Sequence, residues 1–293
     1  VSALTASAAW GATTRAAAAA EDSLVQPLVE VARNREPVIV HAAQLAEASQ
    51  KLAAFAQRTG RRPNVLVFIM DDVGWGDLGA YGGGVAVGAP TPNMDRLARE
   101  GLKLTSTYAQ PSCSPTRATI MTGRLPMRHG LLRPPMAGER GGLEGEITLP
   151  QLLSGAGYRT VGVGKWHMGE NVQSQPQNVG FDEFYGFLTV ANIYTEWRDP
   201  YFNPDIATKP GRQAFVKGIP FSKDLVRAKK GGAIEKVREI DIETMRQLDE
   251  LFADYSIDFL KSRKGAKQPF FLYHATTGVH FDNYPAEQWQ GKS

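Results

Sequence analysis

Residues 64–72 read NVLVFIMDD: an apolar run with β-branched residues at Val65, Val67 and Ile69, closed by two carboxylates, Asp71 and Asp72. A continuous run of this kind predicts a central strand buried on both faces. The chain then enters VGWGDLGAYGGG (73–84), a glycine-rich loop. Two further segments repeat the design. RTVGVG (159–164) leads into KWHMG, and FFLYHA (270–275) leads into TTGVH. Each predicted strand thus ends in a loop that carries ionisable residues.

Helical patterns lie between these strands. TPNMDRLAREG (91–101) has Pro92 at an early helical position and Gly101 as a stop. TLPQLLSGAG (148–157) reads as helix followed by a glycine turn. In IDIETMRQLDELFADYSIDFLKS (240–262), Met245, Leu248, Phe252, Tyr255 and Phe259 recur at steps of three and four, the mark of one apolar helix face. Residues 22–58 also read as helical, with Leu45, Leu52 and Phe55 along one side, and RTGRRP (58–63) breaks that pattern. Alternating apolar strands and amphipathic helices predict an α/β fold with a mostly parallel central sheet flanked by helices. In such sheets the site lies outside the carboxyl ends of the strands, which singles out Asp71, Asp72, Lys165, His167 and His280.

Bulk properties narrow the function classes. The chain has 293 residues with 33 basic and 30 acidic side chains, a net charge of +3. That balance is too mild to argue for nucleic acid, and no stretch approaches the roughly 20 apolar residues of a membrane span. Residues 1–60 form an Ala-rich, helical leader, VSALTASAAWGATTRAAAAA at its start. It reads either as the remnant of an export signal, implying a periplasmic or secreted protein, or as a plain leader that leaves a cytoplasmic one open.

The ionisable residues carry the chemistry. Adjacent carboxylates at a strand end offer oxygen ligands to a hard divalent cation, Ca²⁺ or Mg²⁺, or form a solvated acidic loop. Lys165 and His167, two residues apart, point the same way if the strand continues, and would then clamp an oxyanion. VGVGK lacks the spacing of a phosphate-binding P-loop. His280 suits a general acid, whereas His274 falls inside a strand and reads as packing. Cys113 is the only cysteine, so it makes no disulfide within the chain. It sits in CSPTR (113–117), with Pro115 suited to a first helical turn. At a helix start, partial positive charge gathers, and Arg117 follows one turn on. A buried small hydrophobe, a nucleophilic thiol with a histidine partner and a modified residue all remain open on these grounds.

CSPTRATIMTGR (113–124) resembles the signature of type I sulfatases, in the alkaline phosphatase superfamily. PNVLVFIMDDVGWGDLGAYG, TPNMDRLAREG, TLPQLLSGAGYRTVGVGKWHMG, GFDEFYGF (180–187) and PFFLYHATTGVHFDNYP resemble further family blocks in the same order. The likeness runs from about residue 62 onward, so residues 61–293 are identified as the N-terminal part of a sulfatase catalytic domain.

The resemblance implies hydrolysis of sulfate esters, arylsulfatase-like. It implies that a formylglycine-generating enzyme oxidises Cys113 to formylglycine, whose hydrate is the nucleophile. Arg117, Lys165, His167 and His280 join Cys113 as catalytic residues, and Asp71 and Asp72 hold the metal. The substrate is then a small sulfate ester. A phosphonate or phosphate monoester hydrolase on the same scaffold, a cysteine hydrolase, and an inactive fragment are the competing readings. Two family features are missing: a later Asp-Asn metal pair before Gly, and a following Lys. The resemblance therefore implies a domain incomplete at its C-terminus, with an exposed sheet edge and weakened metal binding. Asp282-Asn283 lacks the glycine and reads as part of the His280 block. NIYTEWRDPYFNPD (192–205), with Tyr194, Trp197 and Tyr201, is the candidate specificity loop, or ordinary packing.

Overall fold

The structure, a computed structural model, describes residues 41–135, 139, 141–190 and 220–292. The leader up to residue 40 and the candidate specificity loop with Tyr194, Trp197 and Tyr201 lie outside the described residues.

Helix α1 (Ala42–Thr59) buries no side chain and stops at Gly60. Strand β1 (Val65–Ile69) follows. Next come α2 (Pro92–Glu100), α3 (Cys113–Thr122), α4 (Pro126–His129) and α5 (Leu149–Gly155). The chain continues through β2 (Arg159–Lys165), β3 (Glu183–Phe187), β4 (Asp224–Lys229) and β5 (Glu235–Glu239). Helix α6 (Ile242–Ser262) and β6 (Phe270–Ala275) complete it. A capping box starts α5: Thr148 accepts from the Gln151 N–H, and the Gln151 side chain accepts from the Thr148 N–H. None of the described helices is long and apolar enough to cross a membrane.

The sheet order is β1-β6-β2-β3-β4-β5. β1, β6, β2 and β3 run parallel, and β4 and β5 add antiparallel pairs. The mostly parallel α/β sheet expected from the sequence is present. The position of β1 is a correction. It forms one edge of the sheet, and its outward side chains Leu66 and Phe68 are about half exposed, at 54% and 46%. Its apolar run reads like a central strand because Val65, Val67 and Ile69 pack on one core while no layer among the described residues covers the other face. β6 is buried along its whole length, and β2 at every position after Arg159.

Side chains of β6 alternate between two cores. Phe271, Tyr273 and Ala275 pack with Ala118 and Met121 of α3, whereas Phe270 and Leu272 pack with Leu248 and Phe252 of α6. Burying a Leu or Phe side chain is worth about 1.5–3 kcal/mol. Exposed pairs such as Lys261–Asp258 contribute at most about 0.5 kcal/mol, so the apolar stripe fixes α6.

The ends of three strands meet. Ile69 pairs with Ala275, and Ala275 with Gly164. The approach is closest at Gly164, which has φ +93°; a Cβ there would stand 1.8 Å from the Ala275 carbonyl oxygen. Only glycine fits this conformation and this gap. The three segments that follow the strands are thereby gathered at one end of the sheet.

Candidate active site

Cys113 is the first residue of α3, after the extended Ser112. Thr116 fixes the incoming chain: its hydroxyl accepts the Gln110 N–H at 3.0 Å and donates to the Ser112 carbonyl at 2.8 Å. The helix starts where the Ser-Pro pair suggested, so the position-113 side chain stands at the positive end of the helix.

Sγ of Cys113 lies 3.2 Å from Nδ1 of His167. The next residue, Ser114, donates its buried hydroxyl to the His167 carbonyl at 2.6 Å. The expectation that Lys165 and His167 share one face of a continuing strand is corrected. β2 ends at Lys165, and His167 adopts φ +57°, the left-handed region. That turn, rather than strand alternation, aims the imidazole at Cys113. Burial pushes the His167 basicity well below the ordinary value, and the charges of Lys165 and Arg117 add to this. The ring is therefore neutral at physiological pH. Its Nε2 has no hydrogen-bond partner among the described residues.

Arg117 comes one turn after Cys113 and is 1% exposed. It donates to the Lys165 carbonyl at 2.9 Å, to the Tyr273 hydroxyl at 3.3 Å and to Oδ1 of Asp71 at 2.9 Å. Lys165 donates to Oδ2 of Asp71. Both carboxylate oxygens of Asp71 are thus engaged by cations. Burial pushes the Asp71 carboxyl up, but Arg117 and Lys165 outweigh it and hold it below the usual range. Burial lowers Lys165, helped by the neighbouring Arg117 charge and opposed by Asp71. Two cations share one carboxylate in this buried triad, so removing a member leaves buried charge uncompensated.

Asp71 and Asp72 point in different directions. Asp71 is buried, whereas the Asp72 side chain is 52% exposed, has φ +59° and approaches Nε2 of His280 at 3.7 Å. Asn283 donates to the Val279 carbonyl at 2.8 Å, closing its own loop. No group of three or more Cys, His, Asp or Glu side chains among the described residues is arranged to hold a metal. The adjacent carboxylates have the donor chemistry of a hard-cation site. They supply at most about four of the roughly six to eight oxygens that Ca²⁺ takes, and so fit one part of such a site.

The Sulfatase family model matches residues 63–293. The chain belongs to the sulfatase family. Among curated relatives, rat N-acetylgalactosamine-6-sulfatase is 35% identical over 254 residues, 83% of this chain and 44% of that protein. Human arylsulfatase G is 32% identical over 228 residues, 75% of this chain and 42% of that protein. A crystal structure of the PsFucS1 sulfatase from Pseudoalteromonas sp. superposes with a TM-score of 0.77 at 41% identity, covering 92% of this chain and 54% of that one. A structure of Ps i-CgsB in complex with k-i-k-neocarrahexaose is 28% identical with a TM-score of 0.56, covering 75% and 46%. The chain spans a little under half the length of the curated relatives it matches.

Within this sulfatase chain, the structure brings Cys113, Arg117, Lys165, His167 and Asp71 into one connected cluster, with Asp72 and His280 paired beside it. Sequence reasoning missed two contributors. Tyr273 hides in an apolar strand, and only its alternation with His274 marks it as facing α3. Ser114 is the unremarkable second residue of the signature, and its tie to the His167 carbonyl is a tertiary contact.

Proposed function

We propose that the protein hydrolyses sulfate esters, with position 113 as the nucleophile after its conversion to formylglycine by a formylglycine-generating enzyme. The supporting observation is the contact of Cys113 Sγ with a buried, neutral His167, at 3.2 Å. Conversion is a net two-electron oxidation by dioxygen at the modifying enzyme: the Cβ–S bond breaks, sulfur leaves as H₂S, and Cβ gains one oxygen as the aldehyde. The hydrated side chain then carries two hydroxyls: one attacks sulfur as the S–O bond to the leaving alcohol breaks, and the other remains.

Nδ1 of His167 faces this side chain and takes the proton of the remaining hydroxyl. The carbon–oxygen bond to the sulfate then breaks, and free sulfate departs. That step needs an unprotonated imidazole, which burial beside Lys165 and Arg117 provides. Arg117 steadies the position-113 side chain, one helical turn away, and Lys165 supplies positive charge to the sulfate oxygens. His280, beside Asp72, protonates the leaving oxygen. Asp71 and Asp72 would hold the divalent cation, Ca²⁺ or Mg²⁺. When bound, it polarises the sulfate as a Lewis acid.

The substrate we infer is a sulfated sugar. Support comes from the relatives' names: an N-acetylgalactosamine-6-sulfatase, and a structure in complex with k-i-k-neocarrahexaose. The test is mass spectrometry of the Cys113 peptide from the native host, with sulfate release measured on sulfated sugars, aryl sulfates and phosphonate esters. Formylglycine at position 113 together with sulfate release supports the reading. An unmodified Cys113 in an active preparation would falsify it, and faster turnover of phosphonate esters would move the protein to the other hydrolase class.

A further inference from the structure

We infer that Asp249, on α6, is the positioning residue for His280; this rests on the sulfatase reading above. Asp249 sits inside α6, next to the buried Leu248 and away from the N-cap, which is Asp241. It therefore does no capping work for its own helix. Its two oxygens engage the backbone of another segment. Oδ1 accepts the Thr277 N–H at 2.7 Å, and Oδ2 accepts the Gly278 N–H at 2.9 Å. One carboxylate thus grips two consecutive amides, and such bonds to an ionised acceptor are about twice as strong as neutral ones.

The gripped segment carries His280. The His280 N–H closes a turn on the Thr277 carbonyl at 3.1 Å, and the Thr277 N–H is one of the two that Asp249 holds. From the opposite side, β1 and the residue after it hold the same segment. The Thr276 N–H donates to Ile69 at 2.9 Å, the Asp71 N–H donates to the Gly278 carbonyl at 3.1 Å, and the Val279 N–H donates to the Asp71 carbonyl at 2.7 Å. Residues 276–279 are clamped between the main chain of Asp71 and the side chain of Asp249. The clamp is tight: a Cβ at Gly278 would stand 3.2 Å from Oδ2 of Asp249. Asp249 touches none of the reacting groups. It sets the distance from the β6 end at which His280 meets Asp72, which is 3.7 Å.

The test uses the full-length protein. Asp249→Asn keeps the shape but sets an N–H against one of the two amide donors. We expect kcat to fall about tenfold, the lower end of the effect of removing a group that orients a ligating residue, with KM little changed. In a His280→Ala background the same substitution should change kcat by less than about twofold, because two residues acting as one unit are non-additive. The His280 ring signals in the NMR spectrum of ¹³C-histidine-labelled protein should shift, while those of His129 stay in place. Gly278→Ala, which presses on Oδ2 from the other side, should move the same signals if Asp249→Asn fails to fold. Unmoved His280 signals, or an equal loss of kcat with and without His280, would overturn the assignment. Absence of sulfate ester turnover in the unaltered protein would instead overturn the functional reading, and the ring signals would still decide the role of Asp249.

Discussion

Ser114 donates its hydroxyl to the carbonyl of His167 at 2.6 Å, and this bond ties the residue after Cys113 to the residue whose ring faces Cys113. His167 is held at φ +57°, a conformation most side chains avoid, so its ring direction depends on such anchors. Ser114→Ala removes the donor and leaves a buried carbonyl under-satisfied. The expected cost is about 1–3 kcal/mol in urea unfolding. Turnover of a sulfated sugar should fall less than in His167→Ala, for which a loss of about 10²–10⁴-fold is expected for a group that takes the proton. Full activity in His167→Ala would remove it from the mechanism.

Arg117 is the member of the buried triad with most to lose. Its guanidinium joins Asp71, the Lys165 carbonyl and the Tyr273 hydroxyl. Arg117→Ala leaves Asp71 with Lys165 alone and frees two other buried acceptors. The expected destabilisation is about 3–5 kcal/mol, the range for breaking a buried ion pair from one side. Tyr273→Phe removes only the 3.3 Å contact and should cost about 0.5–1.5 kcal/mol. Equal losses in the two variants would mean that the ion pair is not what Arg117 provides.

Much of this was legible in the sequence, and the reasons are local. Apolar runs and the 3.6-residue stripe of α6 report burial directly, so β2, β6 and α6 follow from residue order. Cys113 at a helix start follows from Ser-Pro and from Arg117 one turn on. What stayed hidden depends on pairing across the sheet. β1 reads as central but lies at the edge, since an apolar run does not reveal how many neighbours a strand has. The antiparallel pair β4 and β5 is short and largely charged, as in EKVRE, and carries little apolar signal. Lys165 and His167 converge on the site through a left-handed turn that no residue type announces. Asp249 gave a faint sign, a carboxylate beside the apolar stripe of α6.

Gly164 tests the meeting of the strands. It combines φ +93° with a 1.8 Å clash between an added Cβ and Ala275. Gly164→Ala must move β2 away from β6 directly before Lys165. The expected loss exceeds about 4 kcal/mol, the size reserved for a few disruptive mechanisms, or the protein fails to fold. Gly60→Ala is the control: φ is +68°, yet nothing lies within 4 Å. It should cost only about 1–2 kcal/mol for the left-handed conformation. Calorimetric melting of the two variants separates clash from conformation, and similar melting points would show that the strand ends are not in close contact.

Acid should loosen the fold through its buried histidines, and His274 gives the clean measurement. It stacks on Phe68 with ring centroids 4.9 Å apart, and its Nδ1 lies 2.7 Å from the Ser256 hydroxyl. Burial lowers its basicity below the ordinary 6.5, more than Asp249 raises it. The folded state therefore binds fewer protons than the unfolded chain once pH drops below 6.5. Stability is unaffected by this group above that value and falls as pH decreases through the window below it, by at most about 1.4 kcal/mol per pH unit. His167 acts in the same direction, since its shift has the same sign. In His274→Gln one of the two contributions is gone, so the variant, less stable at neutral pH through its lost stacking, should lose stability more slowly on acidification. Urea unfolding of both proteins between pH 7.5 and about pH 5 checks this. Parallel curves would mean that His274 titrates alike in the folded and unfolded chain, and that its contacts with Ser256 and Phe68 do not favour the neutral ring.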